Sequence, residues 1–203
     1  MEVSRNFAPE KNFLKNIRKI CSSNNVILIF DECTSGFRET FGGLHSKYKV
    51  NPDIVLYGKA IGNGYPITAI VGRKKIMQKA QDTFISSTFW TDRIGPTAAI
   101  ETLKQMKKIS SWKIITNKGQ FIKKSWNMIF KRHGFSVEIS GLDALPVFKF
   151  KNILNLKYKT FITDEMLKKG YLASNTIYLS ISHTQKILNK YLKDFEDVIQ
   201  KLK

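Results

Sequence analysis

Cysteine is scarce: Cys21 and Cys33 are the only two in 203 residues. They are too few and unpatterned for a disulfide framework or a metal-ligand spacing. No apolar run approaches the roughly 18 residues of a membrane span. The opening Met-Glu-Val-Ser-Arg-Asn has no basic-then-apolar secretion pattern, so the expected compartment is the cytoplasm. Acidic residues are also under-represented, 16 against 34 basic ones, for a net charge of +18. That excess is an electrostatic footprint of the kind nucleic acid requires. However, the lysines are scattered along expected helix faces (Lys11, Lys15, Lys19; Lys186, Lys190, Lys193), with no stripe of interleaved aromatics. A solvated lysine-rich surface is the expectation, with no nucleic-acid partner, no membrane and no metal.

What is present is globular. A hydrophobic fraction of 42% with 12% aromatics suits a chain that buries a real core. Residues 9–24 carry Phe13, Leu14, Ile17, Ile20 and Cys21 at helical spacing. Val26 to Phe30, Asp53 to Tyr57 and Ile67 to Val71 are short apolar runs. They read as strands buried on both faces of a mostly parallel sheet. A short helix over 72–80 and another opened by Gly95-Pro96 and running to Met106 complete an α/β layered unit. The pattern then changes. A long helix is expected at 112–133, stopped by Gly134, followed by strands at 135–139 and 144–150 joined by a turn at 140–143. A helix over 163–169, a strand over 177–181 and a closing helix over 188–202 follow. The chain is accordingly divided into 1–106, an α/β layered domain, and 107–203, a small α+β domain.

The chemistry concentrates in Asp53-Ile-Val-Leu-Tyr-Gly-Lys59-Ala-Ile-Gly-Asn-Gly-Tyr-Pro66. One lysine ends an apolar run and is ringed by Gly58, Gly62 and Gly64, which allow tight turning and close approach. The earlier run Val26-Ile-Leu-Ile-Phe ends in Asp31-Glu32. A lysine and an acid at two strand ends beside a glycine-lined opening meet the needs of pyridoxal phosphate chemistry. The lysine carries the aldehyde, and the acid keeps the pyridine nitrogen protonated.

Several spaced motifs then occur in one order: Leu28-Ile-Phe-Asp-Glu32 with Gly36-Phe-Arg38, Pro52-Asp53, Gly58-Lys59-Ala60 with Gly62-x-Gly64-x-Pro66, Ser87-Thr88-Phe89, and Ser182-His183-Thr184. Together they closely resemble class III pyridoxal phosphate aminotransferases, in particular glutamate-1-semialdehyde aminomutase-like members, over nearly the whole chain. The resemblance implies a fold-type I transferase with a partial large domain, a cytoplasmic homodimer when complete, and a small amino or keto substrate. It implies Lys59 as the Schiff-base lysine and Asp31 as the partner of the pyridinium nitrogen. Cys33 stands where the family usually has a valine against the ring face. Thr88 matches the threonine that reaches the phosphate of the neighbouring subunit, with Thr91 the alternative.

Other residues carry less. Glu32 is expected to be a structural hydrogen-bonding residue, Asp53 to start a strand, and His183 to be packed in the small domain. His45 and His133 give no signal, and Arg5 and Arg38 are expected at the surface, with anionic-substrate binding as the other option. The family's glycine-serine-threonine phosphate loop, ring-stacking aromatic and most substrate contacts have no counterpart. The chain therefore reads as a fragment of a longer protein, with a separately encoded first half or a decayed, non-catalytic copy as alternatives. A transaminase acting on a keto sugar or another small keto compound is the alternative to the aminomutase.

Overall fold

A computed structural model describes residues 7–202. The chain divides into two compact units between Lys113 and Ile114. In the first unit, helix α1 (Phe13–Ser23) leads to β1 (Ile29–Asp31), β2 (Ile54–Tyr57) and β3 (Ala69–Gly72). A short α2 (Lys74–Met77) and the long α3 (Ile94–Ile109) follow. β1 and β2 are parallel, with Asp31 beside Leu56, whereas β3 runs antiparallel to β2. The expected mostly parallel sheet is therefore one parallel and one antiparallel pairing.

Burial also differs from expectation. β1 alternates exposed, half-buried, exposed, and Ile29 is 51% exposed; Val26, Ile27, Ile70 and Val71 are exposed too. The reason is topological: β1 and β3 are both edges of a three-stranded sheet, and among the described residues no strand pairs with either outer edge. A continuous apolar run signals burial on both faces, but only neighbouring layers can supply it.

What this unit does bury is unusually polar. Alongside Leu28, Leu44, Val50, Val55 and Ile61 lie Glu32, Thr34, Ser35, Glu39 and Asp53. Asp53 precedes β2, as expected, but it does more than begin the strand. Its carboxylate accepts from the Leu28 amide at 2.8 Å and from Arg18 of α1 at 2.7 Å, with Arg73 at 3.2 Å. It thereby ties α1 and the two outer strands to the central one. The Leu28 amide first, and then the Arg18 guanidinium, hold its carboxyl below the usual carboxylate range.

The second unit has an aromatic core. Helix α4 (Ser111–Arg132) enters it and ends at Gly134, whose φ of 77° suits a residue without Cβ. The Gly134 amide donates to the Lys131 carbonyl at 3.2 Å and the Phe135 amide to the Phe130 carbonyl at 2.9 Å, together closing the helix end. β4 (Val137–Ser140) and β5 (Val147–Phe150) form an antiparallel pair, followed by α5 (Asn155–Lys168) and α6 (Gln185–Gln200). Trp126, Phe130, Phe148, Phe150 and Phe195 are fully buried, with Trp126 edge-on to Phe148 at 4.9 Å. The Trp126 indole donates to the Tyr191 hydroxyl at 3.2 Å, which satisfies the core's polar handle.

α5 starts eight residues before the expected helix over 163–169, because Tyr158, Phe161 and Ile162 face the core across the expected boundary. The expected strand over 177–181 is not a regular strand. The Ile177 and Leu179 amides donate to the Pro146 and Ala144 carbonyls, so the segment runs beside the approach to β5 without a full ladder. His183 is half-buried: its Nδ1 accepts from the Ser180 amide at 3.1 Å, and burial, with Lys118 nearby, pushes its pKa down.

Candidate active site at the strand ends

The parallel pairing of β1 and β2 brings their carboxyl ends to one side of the sheet, where open α/β sheets bind ligands. Asp31 ends β1 and is exposed; its Oδ1 accepts from the Cys33 amide at 3.0 Å, which fixes the carboxylate over the turn that follows. The next residue points the other way. Glu32 is buried and accepts from the Leu44 amide, the His45 amide at 2.9 Å, His45 Nδ1 at 2.7 Å and the Ser35 hydroxyl at 3.2 Å. Glu32 thus pins the loop 33–45, as the structural role expected of it requires. Gly43 has to lack a side chain, since a Cβ there would run into the His45 ring.

Lys59 follows β2 at the start of a 3-10 turn (Lys59–Ile61). Its φ is 46°, a left-handed conformation that costs a non-glycine residue about 1 kcal/mol or more. The turn repays this locally: the Lys59 carbonyl accepts from both the Gly62 and Asn63 amides at 3.1 Å. A Cβ on Gly58 would lie 3.3 Å from Cys33 Sγ and 3.4 Å from Thr68 Cγ2, so the backbone before Lys59 packs against the Cys33 side chain. The Lys59 ammonium nitrogen donates to Thr34 Oγ1 at 2.7 Å. Tyr57, under the same turns, has its hydroxyl pKa raised by burial and then by the Glu32 charge.

Asp31, Cys33 and Lys59 therefore gather on the turns after two adjacent strands. Thr88 and Thr91, the remaining expected site residues, lie on a later segment. They bracket an exposed turn over 88–91, ahead of α3. Arg38 is not a free surface cation, since its Nε donates to the Thr34 carbonyl at 2.6 Å. Arg5 lies outside the described residues. A cavity of about 440 Å³ opens beside Asp31, walled by Phe13, Phe30, Leu44 and Tyr48. Sequence reasoning missed Thr34 and the Arg18–Asp53 pair. The available signal for Thr34 was a run of polar residues, Asp31 to Ser35, directly after an apolar strand. Among the described residues no group of three or more His, Cys, Asp or Glu is placed to hold a metal, and no helix is long and apolar enough to cross a membrane.

Comparison with known proteins gives the family and the fold. The model of the class III aminotransferase family matches residues 6–193. The glutamate-1-semialdehyde 2,1-aminomutase of Bdellovibrio bacteriovorus is 32% identical over 202 residues, covering 88% of this chain and 46% of that protein. The 3-aminobutyryl-CoA aminotransferase of Cloacimonas acidaminovorans is 32% identical over 157 residues, covering 77% of this chain and 38% of that protein. The chain spans about half the length of the curated aminomutases it matches. Among solved structures, the Sphingopyxis FumI protein superposes with a TM-score of 0.89 at 24% identity, covering 94% of this chain and 46% of that one. An omega-transaminase from Sphaerobacter thermophilus gives 0.84 at 18% identity, covering 95% and 48%. At those identities the structural likeness establishes the fold, that of transaminases, and the sequence match establishes the family. This chain belongs to the class III aminotransferases.

Proposed function

We propose that the chain forms the later part of a pyridoxal phosphate-dependent aminotransferase or aminomutase, with Lys59 and Asp31 as its chemical residues. The observation that carries the reading is their placement on the turns after adjacent parallel strands, on one side of the sheet. The donor set fits the cofactor: an amine for the aldehyde, a carboxylate for the ring nitrogen, and a small thiol packed against Gly58 where a ring face needs clearance. When bound, pyridoxal phosphate supplies an electrophilic carbonyl carbon and a ring that accepts an electron pair.

In this reading Lys59 binds the cofactor through its amine. With the amine free, Lys59 Nζ would be the group that holds or moves a proton beside the bound substrate. Asp31, its carboxylate oriented by the Cys33 amide, would hold a proton on the ring nitrogen, and Cys33 would line the ring face. Thr88 or Thr91 donates to the phosphate across a dimer, consistent with an exposed turn. The substrate is a small amino or keto compound. Glutamate-1-semialdehyde is favoured by the names of several relatives, and a transaminase with another keto substrate is the alternative. Exposed Ile27, Ile29, Ile70 and Val71 support a requirement for further polypeptide, in the same chain or as a separate half, to complete the sheet.

The test is to incubate the 203-residue chain with pyridoxal phosphate, reduce with borohydride and map the pyridoxyl group by mass spectrometry. A dominant adduct at Lys59, absent in Lys59→Ala, supports the reading. Labelling spread evenly over the surface lysines would sink it.

A further inference from the structure

The geometry points to Thr34 as a positioning residue that holds the Lys59 amine in place for attack on a carbonyl carbon, an inference that rests on the cofactor reading above. Lysine carries its amine on a flexible four-carbon stem, and Lys59 is exposed, so without an anchor the nitrogen samples many directions. Thr34 supplies a rigid anchor. It is only 1% exposed, and its hydroxyl oxygen lies 2.7 Å from Lys59 Nζ. The turn that holds it is itself pinned, by Arg38 Nε donating to the Thr34 carbonyl at 2.6 Å and by the Gly36 amide donating to the Glu32 carbonyl at 2.8 Å.

The type of anchor matters. A carboxylate would favour the ammonium form, which does not attack carbonyls. A hydroxyl accepts from an ammonium and can also donate to the lone pair of a neutral amine. Thr34 can therefore orient Nζ in either charge state.

The experiment compares wild type, Thr34→Val and Thr34→Ser by the borohydride assay. The amine adds to the aldehyde carbon of pyridoxal phosphate, water leaves, and borohydride delivers hydride to the carbon–nitrogen double bond, giving a stable secondary amine. The ratio of adduct at Lys59 to adduct at the other lysines is read by mass spectrometry, so every molecule carries its own control. One hydrogen bond's worth of positioning predicts a ratio about tenfold lower in Thr34→Val and within about twofold of wild type in Thr34→Ser. An unchanged ratio in Thr34→Val, or an equal loss in Thr34→Ser, overturns the inference. A cofactor-free arm separates its failure from that of the cofactor reading. In threonine-methyl-labelled wild-type protein, a nuclear Overhauser contact from the Thr34 γ-methyl to the Lys59 ε-methylene is expected. Its absence overturns the positioning, whereas its presence with no Lys59 preference in the wild-type assay places the failure in the cofactor reading.

Discussion

Arg18 Nη1 lies 2.7 Å from Asp53 Oδ2, joining residues 35 positions apart, with both side chains mostly withdrawn from water. The same carboxylate takes the Leu28 amide, so removing it leaves a buried backbone donor and a half-buried guanidinium without their acceptor. Asp53→Ala is expected to destabilise the first unit by about 3 kcal/mol, measured by urea denaturation.

The pH dependence follows from the direction of the shift. The folded carboxyl titrates below its ordinary value of 3.8. Its stabilisation is therefore fully present above that value and is lost as pH falls through the lower, folded one. The urea midpoint of wild type should exceed that of Asp53→Asn at pH 6 and converge on it toward pH 2. A gap that widened in acid would contradict the assignment.

Glu32 gathers two backbone amides, an imidazole nitrogen and a hydroxyl. In Glu32→Gln one acceptor oxygen becomes a donor facing donors, at a cost of about 2 kcal/mol. Hydrogen exchange at the Leu44 and His45 amides is expected to accelerate by at least tenfold, while the amides of α6 stay protected.

Asp31→Asn leaves the Lys59 amine and its Thr34 contact in place. In the assembled enzyme it should keep the borohydride-trapped adduct at Lys59 but lower the rate of amino transfer by about 100-fold or more, since a neutral amide holds the ring proton poorly. Single-turnover absorbance changes on adding an amino donor measure this, and an unchanged rate would falsify the role given to Asp31.

In the second unit, Phe148 packs among Trp126, Phe130, Phe150 and Phe195 with ring separations of 4.9 to 6.0 Å. Phe148→Ala should cost about 3–5 kcal/mol in chemical denaturation. At Gly134, where φ is 77° and nothing crowds the missing Cβ, alanine should cost only about 1 kcal/mol, a purely backbone effect.

The sequence marked much of this. Gly134 announced the end of α4, and the closing amphipathic helix expected over 188–202 anticipated most of α6, because those signals are local. Asp31 and Lys59 stood out because each ends an apolar run. What stayed hidden depends on partners far along the chain. Nothing near Asp53 in sequence identifies Arg18 as its mate, and nothing near Thr34 identifies Lys59, 25 positions later. Likewise Ile70 and Val71 look like core residues in composition, yet they are exposed in the described structure because burial belongs to the neighbours and not to the residue.

The three tryptophans fall in three distinct surroundings: Trp126 is sealed among rings, Trp112 lies 5.3 Å from Phe41, and Trp90 is 62% exposed. Intrinsic fluorescence thus carries separate optical reporters for the two units and for the turn bearing Thr88. Emission from Trp126 should be blue-shifted and shielded from iodide, while Trp90 should be quenched freely until something covers that turn.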